Sequence, residues 1–239
     1  MPNWLSIVDC PLFVSHRRLC QYKRFPRAVG RWALDSGAFT EIQKFGEWRT
    51  TPEEFAEKAL LYADEIGNLD WIAPQDWMCE PFMLERTGLT VVEHQRRTVY
   101  SLINLRHLLG GSLRVIPVLQ GWEQDDYLRH WEMYEKWGFD LAGEPVIGVG
   151  SVCRRQASTE ARLIFKHLQP LKLHGFGVKL AGLAQLRSLL VSCDSMAWSF
   201  AARMERPLPG HAHKNCANCL IYALLWRSRV VKVMEGNNV

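Results

Sequence analysis

The sequence lacks the long apolar runs, the leader and the nucleotide-binding motifs that mark several common protein classes. No apolar run approaches the roughly 18 residues of a membrane-spanning helix, so we expect no membrane partner. The start, Met1-Pro2-Asn3-Trp4, has neither the basic region nor the apolar stretch of a signal peptide. There is no P-loop and no G-x-G-x-x-G after the first apolar run, which argues against ATP- or dinucleotide-dependent enzymes. Two zinc-enzyme signatures are also missing: the H-E-x-x-H of zinc hydrolases, and an H-x-E with a downstream P-C-x-x-C as in the deaminases.

The cysteines are few and do not suggest a disulfide framework. There are seven, an odd number, scattered along the chain except for Cys216 and Cys219. Such usage is typical of a reducing compartment. We therefore predict a cytoplasmic protein.

The composition is that of an ordinary globular protein. Of 239 residues, 48% are hydrophobic and 23% are charged, which is enough apolar mass for one sizeable core. We expect a single domain over residues 1–239. The formal net charge of +4 permits a polyanionic partner such as nucleic acid without requiring one.

Short apolar runs alternate with amphipathic segments along the chain. The clearest helix begins at the capping box Thr51-Pro52-Glu53-Glu54 and ends at Gly67. Further helices are predicted over residues 89–109, 124–137 and 159–168. The apolar runs are residues 5–8, 32–34, 69–73, 115–119, 146–149, 173–178 and 193–198.

This alternation predicts a parallel α/β fold. Seven or eight strand–helix units in about 240 residues fit a compact (β/α)8 TIM-like barrel. A doubly wound open sheet is the structural alternative. The absence of a dinucleotide fingerprint gives that alternative no support.

Polar residues or glycines follow most of the apolar runs. In a barrel these positions converge on the carboxyl-terminal face, where active sites are built. One carboxylate there could act as a nucleophile and another as a general acid/base, while a further carboxylate and an amide could bind a purine edge. Any one of these residues could instead cap the next helix. The segments are Asp35-Ser36-Gly37, Gln75-Asp76, Gln120-Gly121, Gly148-Val149-Gly150-Ser151, Lys179 and Asp194.

A second cluster lies near the end of the chain. His211, His213, Cys216 and Cys219 lie within nine residues, at spacings that suit one tetrahedral zinc ion with two imidazoles and two thiolates. A redox C-x-x-C pair is the alternative, but it would leave the histidines unexplained. With four ligands the Zn²⁺ would be structural, in a zinc-binding segment at about residues 207–226.

These motifs resemble those of tRNA-guanine transglycosylases. Leu34-Asp35-Ser36-Gly37-Ala38-Phe39 is similar to the D-S-G-G-F-Q segment of that family. The remaining motifs follow in the family's order, and His211-x-His213-x-x-Cys216 has the spacing of its C-x-C-x-x-C zinc ligands. Those remaining motifs are Gln75-Asp76 with Cys79, Val118-Leu119-Gln120-Gly121, Gly148-Val149-Gly150, Gly175-Phe176-Gly177 and Cys193-Asp194.

The departures from the tRNA enzymes indicate a particular branch. The chain is much shorter and lacks their RNA-binding extension, Ala38 replaces a glycine, and Cys219 takes the place of a distant histidine ligand. With Asp194-Ser195-Met196-Ala197-Trp198 and Arg203, the chain looks most like the phage-type DNA 7-deazaguanine transglycosylases. These resemble the tRNA enzymes but insert a 7-deazaguanine such as preQ0 into DNA.

The resemblance implies a role for each motif. Asp194 would form a covalent intermediate at C1′ of the target nucleotide as guanine leaves, and Asp35 would be the general acid/base. The substrate-binding positions it implies are Ser36, Phe39, Asp76, Gln120, Gly148, Gly150, His174 and Gly175. Phe39 or His174 could stack on the base, or could have only a packing role in the fold. For Ser36, the alternative to binding substrate is that it does no more than shape the turn.

The partners implied are DNA, guanine and the incoming 7-deazaguanine. A homodimer or an accessory protein is compatible with the sequence. Four basic residues are candidates for phosphate contacts, although each could equally be a solvated surface charge. They are Arg154, Arg155, Lys179 and Arg203.

Two alternatives to DNA guanine exchange stay open. One is a tRNA-guanine transglycosylase with the same chemistry, which the residues alone do not separate from the DNA enzyme. The other, from a different class, is a non-catalytic zinc-containing nucleic-acid-binding protein. In that case Asp35 and Asp194 would be helix caps or solvated acids.

Overall fold

A computed structural model describes residues 2–153, 155 and 158–236 of the chain. It forms two compact units. The first unit runs to Ser151 and also includes residues 170–172. The second holds residues 152–169 and the chain from Leu173 onward.

The first unit contains parallel strands that follow one another in chain order. β1 pairs with β2, and β2 pairs with β3. Ile72 in β3 bridges in parallel to Val115, whose segment leads into β4, and β4 pairs with β5. The strands are β1 (Leu12–Ser15), β2 (Trp32–Asp35), β3 (Leu69–Ile72), β4 (Val118–Leu119) and β5 (Ile147–Val149).

This sequential order brings the carboxyl ends of the first unit's strands to one edge. A doubly wound sheet reverses its strand order at a switch point, and no reversal occurs between β1 and β5. The structure is thus a mixed α/β fold with parallel sheets, as predicted. The complete (β/α)8 barrel stays a prediction.

The helices of the first unit connect these strands. Thr51 caps α3 through the predicted capping box, since its hydroxyl accepts from the Glu54 N–H while the Glu54 carboxylate accepts from the Thr51 N–H. The buried side chains of α3 include Phe55, Tyr62 and Ile66. The helices are α1 (His16–Leu19), α2 (Ala38–Phe45), α3 (Pro52–Ile66), α4 (Pro81–Thr87), α5 (Val91–Leu109) and α6 (Gln124–Lys136).

Where the structure describes it, the second unit combines two parallel strands with four α-helices. Its strands β6 (Leu173–Gly175) and β7 (Ser192–Cys193) pair through His174 and Ser192. Buried apolar residues of α7 and α8, among them Phe165 and Leu183, contribute to its core. The helices are α7 (Thr159–His167), α8 (Leu180–Leu186), α9 (Ala197–Met204) and α10 (Leu220–Met234).

Two of the apolar runs are not the strands we expected. Residues 5 and 6 are the last two of a 3₁₀-helix (Pro2–Ser6), and the first strand comes later, at Leu12–Ser15. Leu5 and Val8 are buried while Ile7 is exposed, so the burial has helical rather than strand spacing. In the run 193–198 the strand ends at Cys193, and α9 begins at Ala197.

Two tryptophans pack against buried clusters, one in each unit. Trp77 packs in a buried cluster with Ala38, Ile42 and Met83 of the first unit. Trp198 packs against Cys216 in the second. Within the described ranges, no helix combines the length and the apolar character that crossing a membrane requires.

Candidate active site

Asp35 is the last residue of β2 and begins a tight turn. Its carboxylate accepts from the Gly37 N–H at 3.0 Å. Gly37 has φ 86°, and a Cβ there would lie 2.6 Å from Cγ of Arg17, so both conformation and space require glycine. The turn holds the Asp35 carboxylate at the strand end, where the sequence predicted it.

The neighbours of Asp35 differ in exposure. Ser36 is buried, and its hydroxyl has no hydrogen-bond partner among the residues described. Phe39 lies on α2 with 36% of its surface exposed, its ring 6.2 Å from that of Phe82 at a steep angle.

Asp76 and Gln120 form a buried pair beyond the ends of β3 and β4. The Gln120 side-chain N–H donates to Oδ2 of Asp76, and both residues are almost fully buried. The sequence predicted both residues for one end of the strands, and the structure brings them into direct contact.

The surroundings of Asp76 favour its neutral form. The pKa of Asp76 is raised to about 7, chiefly by burial and also by the negative charges of Asp35 and Glu80, and the hydrogen bond from Gln120 only partly offsets this. This also means that Asp35 and Asp76 are close enough to interact electrostatically. Asp76 can therefore change its protonation state near neutral pH.

The backbone of Gln120 is fixed by two buried side chains. Its N–H donates to Nδ1 of His130 at 2.9 Å, and its carbonyl accepts from Nε2 of Gln95 at 2.8 Å. Burial lowers the pKa of His130 to about 3, which keeps the ring neutral and able to accept. The Gln120 side chain thus projects from a rigid backbone.

The predicted substrate-binding residues Gly148 and Gly150 lie in and directly after β5, and their N–H groups take part in the strand pairing. The Gly148 N–H donates to Pro117 and the Gly150 N–H to Leu119, so both are taken up by the neighbouring strand segment. At Gly150 an added Cβ would lie 2.6 Å from Cδ of Gln120. Glycine at 150 therefore leaves room for the Gln120 amide.

Ser151 and Glu80 extend the hydrogen-bonded pair of Asp76 and Gln120 into a network of four residues. Neither was among the site residues predicted from the sequence. Oγ of Ser151 lies 2.7 Å from Oε1 of Gln120 and 2.9 Å from Oε2 of Glu80. It also accepts from the Cys79 N–H at 2.7 Å. Only the position of Ser151 directly after Gly148-Val149-Gly150 gave a signal in the sequence, whereas Glu80 before Pro81 resembled a helix start.

Asp194 lies just beyond β7 in the second unit. Its Oδ1 accepts from the Gly177 N–H at 3.1 Å and lies 3.4 Å from Nε2 of His174. Nδ1 of the buried His174 lies 2.8 Å from Oγ of Ser192. The carboxylate is 22% exposed and held in a fixed orientation, as a nucleophile requires.

His174 and Gly175 thus have contacts that the sequence did not predict. His174 joins Ser192 to Asp194, and its ring is also 5.0 Å from that of Phe176. A Cβ at Gly175 would lie 2.7 Å from Cγ2 of Val178, so this glycine permits close packing inside the second unit.

Three of the four predicted metal ligands lie together. The ligand atoms of His213, Cys216 and Cys219 all lie within 4.8 Å of one another. His211 is outside this group, although its ring centroid is 4.9 Å from that of His213. Thiolates are soft ligands and imidazole is a borderline one, a combination that suits ions such as Zn²⁺. The three side chains could therefore hold a metal ion.

The predicted phosphate contacts are scattered. Lys179 and Arg203 are exposed in the second unit. Arg155 is paired with Glu160 at 3.8 Å, and its side chain is only 11% exposed. Arg154 lies outside the described residues.

Comparison with known proteins identifies the family of this chain. None of the curated proteins matches it. A family model described as "DpdA: DeoxyPurine in DNA protein A" matches residues 1–238. This match, together with the acidic strand ends and the His-Cys-Cys group, shows that the chain belongs to the DpdA family of proteins that act in deoxypurine modification of DNA.

Proposed function

We propose that this protein exchanges guanine in DNA for a 7-deazaguanine base such as preQ0. The observation that carries the proposal is the buried Asp76–Gln120 pair next to Asp35. The Watson–Crick edge of guanine offers N–H groups beside a carbonyl oxygen. A carboxylate accepts from N–H groups, and an amide both donates and accepts, so the pair complements this edge. Membership of the DpdA family supports DNA as the polymer.

The proposed first step is a displacement at C1′ of the target deoxynucleotide. An oxygen of Asp194 forms a bond to C1′ as the bond from C1′ to N9 of guanine breaks, and the electron pair goes to the base. Asp35, as general acid, supplies the proton that the departing guanine takes up. The contacts from Gly177 and His174 hold the Asp194 carboxylate in position for this attack.

The second step reverses the first with a different base. Asp35, now a carboxylate, accepts the N9 proton of the incoming 7-deazaguanine, and N9 forms the bond to C1′ while the Asp194 oxygen leaves. No oxidant, reductant or ATP is consumed. A target inside a duplex must be unpaired and turned out before either step.

The metal group has a structural part in the proposal. His213, Cys216 and Cys219, with His211 as the fourth ligand, would hold one zinc ion. A bound zinc would crosslink the loop before α10. It takes no part in the exchange.

The test is incorporation of preQ0 into guanine-containing DNA, measured by nucleoside digestion and mass spectrometry. Wild-type protein should yield the modified nucleoside, and Asp194→Asn should lower the rate by about 10³-fold or more. The matched control is Asp125→Asn, which removes a carboxylate from α6. Normal incorporation by Asp194→Asn or Asp194→Ala would refute the covalent step.

The same assay separates DNA from tRNA. With both polymers present in equal guanine concentration, we expect the 7-deazaguanine in DNA. Incorporation confined to tRNA would replace the proposal by the tRNA reaction. Incorporation into neither, with tight binding of both, would favour the non-catalytic nucleic-acid-binding alternative.

A further inference from the structure

Asp76, Gln120, Ser151 and Glu80 form a buried hydrogen-bonded network in the first unit, and its contacts limit where the protons can lie. Ser151 is held at its centre with φ 56°, in the left-handed region that a serine rarely adopts. Its hydroxyl has one proton to donate and two lone pairs to accept with. It is in contact with one donor, the Cys79 N–H, and with two oxygens, Oε2 of Glu80 and Oε1 of Gln120.

One hydroxyl proton cannot serve both oxygens. In one solution Glu80 carries a proton and donates it to Ser151, which then donates to Gln120. The Gln120 N–H groups are left to donate to an ionised Asp76.

In the other solution the Gln120 side-chain amide is flipped, so that Oε1 and Nε2 exchange positions. Amide oxygen and nitrogen are assigned from such networks, so both orientations are open. Nε2 of Gln120 then donates to Ser151, and Ser151 donates to an ionised Glu80. Oε1 of Gln120 now faces Oδ2 of Asp76, and two oxygens in contact require a proton on Asp76.

Each solution places a proton on one of the two carboxyl groups. We infer that Asp76 and Glu80 share a single proton through Gln120 and Ser151, which makes Glu80 and Ser151 positioning residues for recognition of the base. The proton on Glu80 leaves Asp76 as an acceptor, and the proton on Asp76 makes it a donor.

The consequence for recognition rests on the proposed function. The guanine edge offers N–H donors, so it selects the form in which Glu80 holds the proton and Asp76 accepts. An adenine edge offers a bare ring nitrogen at the corresponding place, which would require the opposite form. Binding of a guanine-type base would thus draw the proton from Asp76 to Glu80 within the protein.

Other groups around Asp76 do not remove the need for this proton. Asp35 adds negative charge, and it and Glu80 both disfavour ionisation of Asp76. Burial holds the pKa of the Cys79 thiol well above its ordinary value. Burial also raises the pKa of Tyr134 and keeps His130 neutral. The other charged groups that influence this network are Asp126, Arg129, Arg106 and Glu144.

The direct test is infrared spectroscopy of the ligand-free protein at about pH 6, reading the band of buried protonated carboxyl groups. Wild type should show one such group in the difference against Asp76→Asn. Glu80→Gln keeps the size of the side chain and supplies a permanent donor to Ser151, so Asp76 should ionise and the band should disappear. The matched control is Glu85→Gln on the exposed side of α4, which should leave the band unchanged. Persistence of the full band in Glu80→Gln would overturn the inference.

A second measurement uses wild type alone, so it does not depend on the folding of a variant. Calorimetry of preQ0 binding at about pH 6, in two buffers of different ionisation enthalpy, counts the protons released. Transfer from Asp76 to Glu80 predicts a release near zero, whereas independent titration of Asp76 predicts about one proton per base and contradicts sharing. If preQ0 does not bind, the proposed function fails and the infrared result still decides the inference.

Discussion

At the scale of single residues, two buried groups have pKa values far from their ordinary values. Asp76 has a pKa raised to about 7 because it is buried, and His130 has a pKa lowered to about 3 for the same reason. Their effects on stability have opposite signs. Asp76 binds a proton more strongly in the folded state, and His130 binds one more weakly.

The first prediction concerns Asp76→Asn and the pH dependence of unfolding. The raised pKa of Asp76 stabilises the fold below about pH 4, and this contribution is lost as the pH rises to about 7. The free energy of unfolding of wild type, relative to the variant, should therefore fall by up to about 1.4 kcal/mol per pH unit over that range. Urea unfolding at several pH values between 4 and 8 measures the difference.

His130 explains why the variant is more informative than wild type alone. Its neutral state costs stability as the pH falls below the ordinary histidine range, so its slope opposes that of Asp76 between about pH 4 and 6.5. Asp76→Asn should expose the His130 slope. Asp70→Asn, at a half-buried acid with arginine neighbours, serves as control. Parallel curves for wild type and Asp76→Asn would contradict the raised pKa.

Much of the candidate site could be predicted at this scale, and the reason is periodicity. Asp35, Asp76 and Gln120 follow apolar runs, so their place at the strand ends is visible in the sequence. Glu80, Ser151 and Ser192 were missed because their roles depend on contacts between distant segments. Ser151 meets Glu80 across 71 residues of chain, which no local pattern encodes.

At the scale of elements, the end of β5 shows how backbone and side chain fit together. Gly150 continues the strand pairing through its N–H, and the phenol of Tyr127 donates to its carbonyl at 2.8 Å. The side of Gly150 that would carry a Cβ is filled by the Gln120 amide. The end of β5 and the Gln120 side chain therefore constrain each other.

The second prediction is that Gly150→Ala displaces Gln120. The added methyl group should cost about 1–3 kcal/mol of stability through overpacking and should weaken binding of preQ0. Chemical denaturation and calorimetric titration measure the two effects. In a Gln120→Ala background, where the amide is gone, Gly150→Ala should cost much less, so the double-mutant cycle should show a clear coupling energy. Additive effects would mean that the two residues do not meet.

The elements differ in how well the sequence predicted them. The long helices were predicted closely because their caps and apolar spacing are local, as the Thr51 capping box shows. Strands β4 and β7 have two residues each, too few to show a period. Their pairing is decided by neighbours far away in the chain, and this is also why β1 was misplaced.

At the scale of the whole molecule, the sequential parallel order from β1 to β5 agrees with the barrel expected from the sequence. The two compact units were not anticipated from composition, because no linker or change in residue usage separates them. The predicted catalytic acids divide between the units, with Asp35 in the first and Asp194 in the second.

The last prediction is that a metal ion stabilises the second unit. The protein should contain about one zinc ion per chain by elemental analysis, and Cys216→Ser should lose it because that thiol is buried among the ligands. Cys10→Ser, far from the group in sequence, is the matched control. His211→Ala tests the fourth ligand and should weaken binding less, since its ring lies beside the three-residue group rather than within it.

Removal of the metal should act locally before it acts globally. A strong chelator frees two thiolates and an imidazole, so the loop over residues 207–219, before α10, loses its crosslink and its amides should exchange hydrogen faster. Peptides from α3 in the first unit should keep their protection and act as an internal control. Because Ser199 of α9 donates to the carbonyl of Ala217 in this loop, the loss of protection should extend to α9. Equal exchange with and without chelator would show that the His-Cys-Cys group does not hold a structural ion.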